Sequence, residues 1–215
     1  MQWPTLIVDN FFTDPHATVR LSKTFKYTRA IDNTWPGTRS PVISDVDKAF
    51  FLWSTRRILA VLYPMQINAL TWQAVQYFQR IPYKTYGGEG WIHGDTDWEF
   101  TSIVYLSEHP NSGTCLYEGT HFNVSTEYNE ERKRFFKELA DYKRMEKYKK
   151  KANSKFIKKV ELFSNFNRLV LFDSHNWHAS RNSDTDKSDR LTLITFFKNI
   201  TCKDIRYPIT TMRRI

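Results

Sequence analysis

From Trp72 to Phe197 the chain reads as a succession of short apolar runs separated by turn signals, and no other feature restricts the fold as much. The strand-like runs are residues 74–81, 91–93, 100–106, 113–117, 168–172 and 191–197. Gly87-Gly88, His109-Pro110-Asn111 and Asn182-Ser183-Asp184 break the chain between several of them. Upstream the pattern is helical. Asp14-Pro15 opens a helix that can run to about Tyr27, with Pro at the first helical position. Ser44 or Asp45 can cap a second helix whose apolar side is Phe50, Phe51, Trp53, Ile58, Leu59 and Leu62, with Pro64 ending it. Two helices followed by many short strands indicate an α+β domain whose β part is a barrel or two-sheet roll. The length of 215 residues suits one domain spanning 1–215.

One segment interrupts the strands. Phe135, Leu139, Tyr142, Met145 and Tyr148 recur every three or four residues, the period of one helical face. Glu127, Glu130 and Glu131 fall near its start and Lys147, Lys149, Lys150 and Lys151 near its end, which suits the helix dipole. Residues 124–152 therefore read as a basic helical insertion. Residues 127–159 hold thirteen basic against six acidic side chains, an excess of +7 out of a net +9. Basicity belongs to one segment, which weakens any general nucleic-acid reading. The insertion's apolar stripe is expected to dock on the β domain, leaving the Lys/Arg face for an acidic or phosphate-bearing macromolecule or simply for solvent.

Several function classes lose their support. No GxGxxG or GxxxxGK[ST] pattern occurs, so nucleotide-binding folds have no motif here. Cys115 and Cys202 are far apart and read as thiols of a reducing compartment rather than a disulfide framework. No apolar run reaches bilayer length and the start lacks a signal-peptide pattern, so the expectation is a cytoplasmic protein with no membrane partner.

The chemistry is carried by His93-Gly94-Asp95 and His178. On an extended chain, residues i and i+2 share a side, so an imidazole and a carboxylate can meet one cation. Two histidines and one carboxylate form the facial triad that leaves iron(II) with open positions. His-x-Asp alone is a weak signal. It gains specificity from the distant His178 and from Arg190, which opens the final apolar strand and can grip a dicarboxylate with both arms of its guanidinium. His175 is a rival distal ligand, and Asp97 shares the face of Asp95 if the strand continues. His16, His109 and His121 read as surface or structural residues.

Between residues 83 and 197, these pieces resemble the catalytic core of the 2-oxoglutarate/Fe(II)-dependent oxygenases, particularly the prolyl-hydroxylase-like branch. Tyr83 lies ten residues before His93. The other pieces are His93-Gly94-Asp95, Ile103-Val104-Tyr105-Leu106-Ser107, Ser112-Gly113-Thr114, the run 167–172 leading to His178, and Arg190. The opening Leu6-Ile7-Val8-Asp9-Asn10-Phe11-Phe12 is similar to small bacterial and phage-borne members. This chain departs from the family pattern in the twelve-residue step from His178 to Arg190 and in the long insertion.

The resemblance implies a double-stranded β-helix, a jelly-roll or cupin-like core with supporting N-terminal helices. It implies Fe(II) on His93, Asp95 and His178, and Arg190 on the far carboxylate of 2-oxoglutarate with Tyr105 assisting. Tyr83 would face cosubstrate or substrate, with core packing an equal alternative. The implied reaction consumes 2-oxoglutarate and O2, with ascorbate as accessory reductant, and hydroxylates a C–H bond with release of succinate and CO2. The expected substrate is a prolyl residue of a protein or peptide, with small molecules also open. An intact Asp95 argues against halogenation, because a halide needs its position. Two other readings stand beside this one: a cupin-type metalloprotein that never uses 2-oxoglutarate, and a nucleic-acid-binding protein working through the basic helix.

Overall fold

The computed structural model of the protein describes residues 4–29, 35, 37–82, 88–109, 111–119, 134, 142–182 and 188–202. Within these, ten strands and four helices follow one another as β1 (Leu6–Val8), α1 (Pro15–Ser22), β2 (Thr38–Arg39), α2 (Ile43–Val46), α3 (Lys48–Leu62), β3 (Thr71–Ile81), β4 (Gly88–Glu89), β5 (Phe100–Tyr105), β6 (Gly113–Gly119), α4 (Tyr142–Asn153), β7 (Phe156–Phe163), β8 (Leu169–Asp173), β9 (Trp177–Asn182) and β10 (Arg190–Thr201). They form two antiparallel sheets, ordered β1-β8-β5-β10-β3-β2 and β4-β9-β6-β7. From β3 onward the chain steps from one sheet to the other at every connection except β6 to β7.

The larger sheet sorts its side chains by the two-residue period of a strand. Phe78, Phe100, Val104, Leu171, Leu193 and Phe197 face the helices, where they meet Ile58, Leu59 and Leu62 of α3 together with Phe11 and Phe12. Gln76 is buried on the same face because Ser54 and Thr195 bond its amide at 2.9 and 2.8 Å. On the opposite face, Ile103, Tyr105, Val170 and Phe172 pack against Leu116 and Leu162 of the smaller sheet. The rest of that face lines a cavity between the sheets.

Asp14 caps α1 through the Ala17 amide, as its place before Pro15 implies, but the helix stops at Ser22 rather than near Tyr27. The cap of α3 is Asp47, whose carboxylate accepts from the Phe50 amide at 2.9 Å; neither Ser44 nor Asp45 caps it, since both lie inside the short α2. Trp53 stays 47% exposed, and Ser54 and Thr55 take its expected place inside. Residues 91–93 are not a strand: His93 makes a single bridge to His178. Four strands, β2, β4, β7 and β9, lack the apolar pattern that marks the others.

The insertion is described as helix over Tyr142–Asn153, with most of 124–141 outside the described residues. Of its apolar stripe, Tyr148 is the side chain that falls among the described residues. Tyr148 is 44% exposed, whereas Lys149 is buried in an ion pair with Glu146. Contact with the core comes instead from Ala152, which packs with Ile81, Trp91, Cys115 and Phe156. No described helix is long and apolar enough to cross a membrane.

Candidate metal centre

His93 and His178 are brought together by the backbone before any side chain acts. Each donates its amide N–H to the other's carbonyl, at 2.9 and 2.7 Å, so the two imidazoles project from directly opposed residues. Their ring centroids are 4.4 Å apart. Asp95 is fixed by its own amide, which donates to the Ser174 carbonyl at 2.8 Å. The side chains then converge: His93 Nε2 lies 3.7 Å from one carboxylate oxygen of Asp95 and His178 Nε2 lies 3.3 Å from the other. One candidate donor atom from each of the three falls within 4.8 Å of the others.

The hydrogen bonds behind the rings decide what faces the centre. His93 Nδ1 donates to the Trp91 carbonyl at 2.9 Å, and His178 Nδ1 donates to the Asn176 carbonyl at 2.8 Å. A carbonyl can only accept, so in the neutral ring the proton sits on Nδ1 and a lone pair on Nε2. Two imidazole lone pairs and a carboxylate then point at one another, which is unfavourable unless a cation or added protons sit between them. Ligands about 2.1 Å from one cation and at right angles are roughly 3 Å apart, close to the separations here. The donor set therefore fits a divalent metal, and the Nδ1 bonds are of the kind that orients metal-bound histidines.

Two further groups hold this geometry, and no motif or spacing marks either of them. Thr101 bonds Ser174 at 2.8 Å and reaches Asp95 at 3.5 Å. Asn153, at the end of α4, accepts from the Ile92 amide at 3.2 Å and donates to the Gly90 carbonyl at 3.0 Å. It thereby grips the backbone on both sides of Trp91, the residue whose carbonyl orients His93. In sequence Asn153 reads only as a helix end.

The rival ligands stand apart. His175 is largely exposed, with its backbone amide and Nδ1 both on Asp173. Asp97 is exposed in a turn. His16 is exposed beside Phe166, while His109 is buried with Nε2 3.1 Å from the Asp189 carbonyl, next to Arg190. His121 and Tyr83 lie outside the described residues.

Arg190 is buried at the start of β10 and lines the same cavity of about 350 Å³ as His93, Asp95 and His178. Its guanidinium carbon lies 5.2 Å from the centre of the Tyr105 ring. Tyr105 is almost fully buried and its hydroxyl pairs with Thr114 at 2.8 Å. Burial raises the phenol pKa, with the neighbouring Arg190 charge opposing, so the hydroxyl stays protonated and able to donate. Thr114 and Thr192 join Arg190 in the cavity wall. Cys115 is buried outside this wall, and burial pushes its thiol up to about 11, which makes it inert. Cys202 is half-buried, and both cysteines are free thiols.

A family model described as a family of unknown function, DUF6445, matches residues 1–197, and the chain belongs to that family. No curated protein matches the sequence. Among solved structures, HygX from Streptomyces hygroscopicus, with nickel, 2-oxoglutarate and hygromycin B bound, superposes with a TM-score of 0.56 at 16% identity, covering 90% of this chain and 82% of that one. The non-heme alpha-ketoglutarate-dependent epimerase SnoN from nogalamycin biosynthesis gives 0.54 at 10% identity, covering 90% and 77%. A prolyl-4-hydroxylase from Pseudomonas putida gives 0.48 at 15% identity, covering 90% and 91%. The structural neighbours are 2-oxoglutarate/Fe(II)-dependent oxygenases, and at these identities the likeness is one of fold.

Proposed function

We propose that this chain is an Fe(II)- and 2-oxoglutarate-dependent dioxygenase that hydroxylates a C–H bond. The observation that carries the reading is the convergence of two Nε2 lone pairs and a carboxylate in a cavity that also holds a buried guanidinium. The strand order supports it. β3, β5, β8 and β10 fall in one sheet and β4, β6, β7 and β9 in the other, the arrangement expected of a double-stranded β-helix. The neighbours' bound nickel and 2-oxoglutarate are consistent with the same cofactors here.

In this reading His93, Asp95 and His178 would hold the metal through two imidazole Nε2 atoms and a carboxylate, a donor set that leaves iron(II) able to take further ligands. The bound iron and 2-oxoglutarate supply an oxidant from O2, with succinate and CO2 as coproducts. The protein's own groups do the positioning. Arg190 would take the distal carboxylate of the cosubstrate in two parallel N–H bonds, assisted by Thr114 and Thr192 beside it in the cavity wall, with the Tyr105 hydroxyl bonded behind Thr114. The two Nδ1 bonds keep the rings from rotating, and Thr101 with Ser174 steadies Asp95. Asp95 would give the metal a carboxylate where a halide would otherwise have to bind, so the expected product is oxygenated.

Arg190 separates this reading from a cupin-type metalloprotein that ignores 2-oxoglutarate. A prolyl residue as substrate rests on the resemblance alone, since nothing in the described cavity selects a pyrrolidine ring. The test is succinate release by the purified protein with Fe(II), 2-oxoglutarate and O2, each omitted in turn, with mass spectrometry of candidate substrates for a gain of one oxygen. Succinate that requires all three supports the reading; none under any condition, with the metal bound, counts against it.

A further inference from the structure

The chain enters β10 without an apolar anchor. Residues 181–189 run Arg-Asn-Ser-Asp-Thr-Asp-Lys-Ser-Asp, so hydrophobic burial does not decide where Arg190 begins the strand. On one side Arg190 pairs with Ile81 of β3. On the other side the pairing with β5 starts only at Thr192, opposite Tyr105, and one more backbone bond follows, from the Leu106 amide to the Leu191 carbonyl at 2.9 Å. Alternate residues of a strand turn their N–H and C=O groups to the same side, so Leu191 and Asp189 both face the end of β5, where the backbone ladder has run out.

Two side chains from the segment after β5 continue it. Ser107 Oγ accepts from the Leu191 amide at 2.9 Å, and His109 Nε2 donates to the Asp189 carbonyl at 3.1 Å, with the Ser188 hydroxyl 3.5 Å away. A carbonyl can only accept, so the proton of neutral His109 sits on Nε2, the reverse of the tautomer in His93 and His178. His109 is in turn anchored to the smaller sheet. Its carbonyl accepts from the Ser112 amide at 2.9 Å and from the Ser164 hydroxyl, and the Ser164 amide donates to the Ser112 carbonyl at 2.9 Å. Ser112 precedes β6, Ser164 follows β7, and both are buried with His109.

His109 therefore ties the start of β10 in the larger sheet to the β6–β7 end of the smaller one. Arg190 follows the first tie by one residue and Thr114 follows the second by two. These two line the cavity from opposite sheets, with the Tyr105 hydroxyl bonded to Thr114 between them. The clasp thus sets how far the Arg190 guanidinium stands from the facing wall.

Resting on the proposed function, we infer that His109, assisted by Ser107, is the positioning residue for the far carboxylate of 2-oxoglutarate. It does not touch the cosubstrate. His109 and Ser107 hold the backbone on the two sides of Arg190, so the guanidinium meets the carboxylate at a fixed depth. That depth suits a five-carbon dicarboxylate better than a 2-oxo acid without the far carboxylate or one carbon longer. Without the imidazole donor the Asp189 carbonyl loses its partner, the strand start shifts to find another, and the binding of the far carboxylate has to restore the lost position.

The test is calorimetry under nitrogen on the Fe(II)-loaded protein with 2-oxoglutarate, 2-oxobutyrate, which lacks the far carboxylate, and 2-oxoadipate, which is one carbon longer. His109→Phe keeps a ring and removes the donor, whereas His109→Gln restores an N–H near the place of Nε2. His109→Phe should weaken 2-oxoglutarate about tenfold, the cost of stranding one buried acceptor, and leave iron and 2-oxobutyrate within about twofold of wild type. Its preference for 2-oxoglutarate over 2-oxoadipate should shrink, and His109→Gln should recover most of the loss. Ser107→Ala should move the same way, and it carries the comparison alone if His109→Phe gives no folded melt. Unchanged 2-oxoglutarate binding, equal weakening of 2-oxobutyrate, or no recovery in His109→Gln overturns the inference. A readout without ligand separates it from the oxygenase reading. The Nε–H nitrogen-15 resonance of Arg190, assigned by its loss in Arg190→Lys, should move in metal-free His109→Phe and return in His109→Gln. If wild type binds no 2-oxoglutarate while that resonance follows His109, the oxygenase reading fails and the positioning of Arg190 stands. A resonance indifferent to His109 overturns the positioning itself.

Discussion

Replacing Arg190 should separate the cosubstrate site from the fold. The residue is buried beside Tyr105 and Thr114, where a bound carboxylate would be withdrawn from water. Removing one member of such a buried, hydrogen-bonded charge pair costs about 2–5 kcal/mol, or roughly 30- to 5,000-fold in affinity. Arg190→Met should therefore weaken 2-oxoglutarate binding by that factor. Arg190→Lys keeps the charge but loses one of two charge-assisted bonds, about 1.5–3 kcal/mol, so its loss should be roughly 10- to 150-fold. Anaerobic calorimetry with the metal bound reads this directly, and melting provides a second measure. At 100 times its dissociation constant a ligand stabilises the native state by about 2.7 kcal/mol, but by only about 0.4 kcal/mol if affinity falls 100-fold. For a chain this long, about 2–4 °C per kcal/mol turns those figures into a Tm rise of roughly 5–10 °C for wild type and about 1 °C for the variant. A full Tm rise in Arg190→Met would remove Arg190 from the cosubstrate site.

His178→Ala should abolish iron binding in a folded protein whereas His175→Ala should retain most turnover, and the reverse pattern would exchange the two ligands. Asn153→Ala removes both bonds that steady the backbone around Trp91, so iron affinity should fall about tenfold, measured by competition with a chelator, with a small change in Tm. The Arg168 guanidinium bonds both carboxylate oxygens of Asp9 and holds its pKa below the ordinary 3.8. A depressed carboxylate stabilises above its unfolded pKa and loses that contribution as pH falls through the folded value. Asp9→Asn should thus cost about 1 kcal/mol or less at neutral pH, and denaturant melts of the two proteins should coincide well below pH 3.8. Among the described side chains of α4, Lys147, Lys150 and Lys151 are exposed lysines; changing them to Gln should flatten the salt dependence of binding if they recruit a polyanion, and leave it unchanged if they serve solubility. Lys149 stays out of that variant, because its loss would strand the half-buried Glu146.

Strands whose inner face meets the hydrophobic core were legible, and those whose inner face meets the site were not. β3, β5, β8 and β10 carry Phe78, Phe100, Leu171 and Leu193 toward α3, and their periodicity marks them in sequence. β9 turns His178 and Ser180 into the cavity, so its alternation reads as polar chain. β7 is an outer strand of the smaller sheet with Ile157, Val160 and Phe163 exposed among lysines, and its composition blends into the basic helix before it. The converging side chains, His93, Asp95 and His178, could be picked out because His-x-Asp and a distal histidine are side-chain chemistry. What orients them was hidden, since Trp91 and Asn176 act through backbone carbonyls that any residue supplies. Arg39 of the cavity wall was equally hidden: a two-residue strand between Gly37 and Pro41 gives no periodic signal.

The most direct test of the metal centre is an anaerobic titration of the purified protein with Fe(II) and then 2-oxoglutarate, followed by calorimetry. One iron per chain should bind in wild type, and 2-oxoglutarate should bind tightly only after the iron, in the same ratio. His93→Ala and His178→Ala should lose both steps while keeping the wild-type melt without metal. Undiminished one-to-one iron binding in both variants, or 2-oxoglutarate binding indifferent to metal, would contradict the proposed centre.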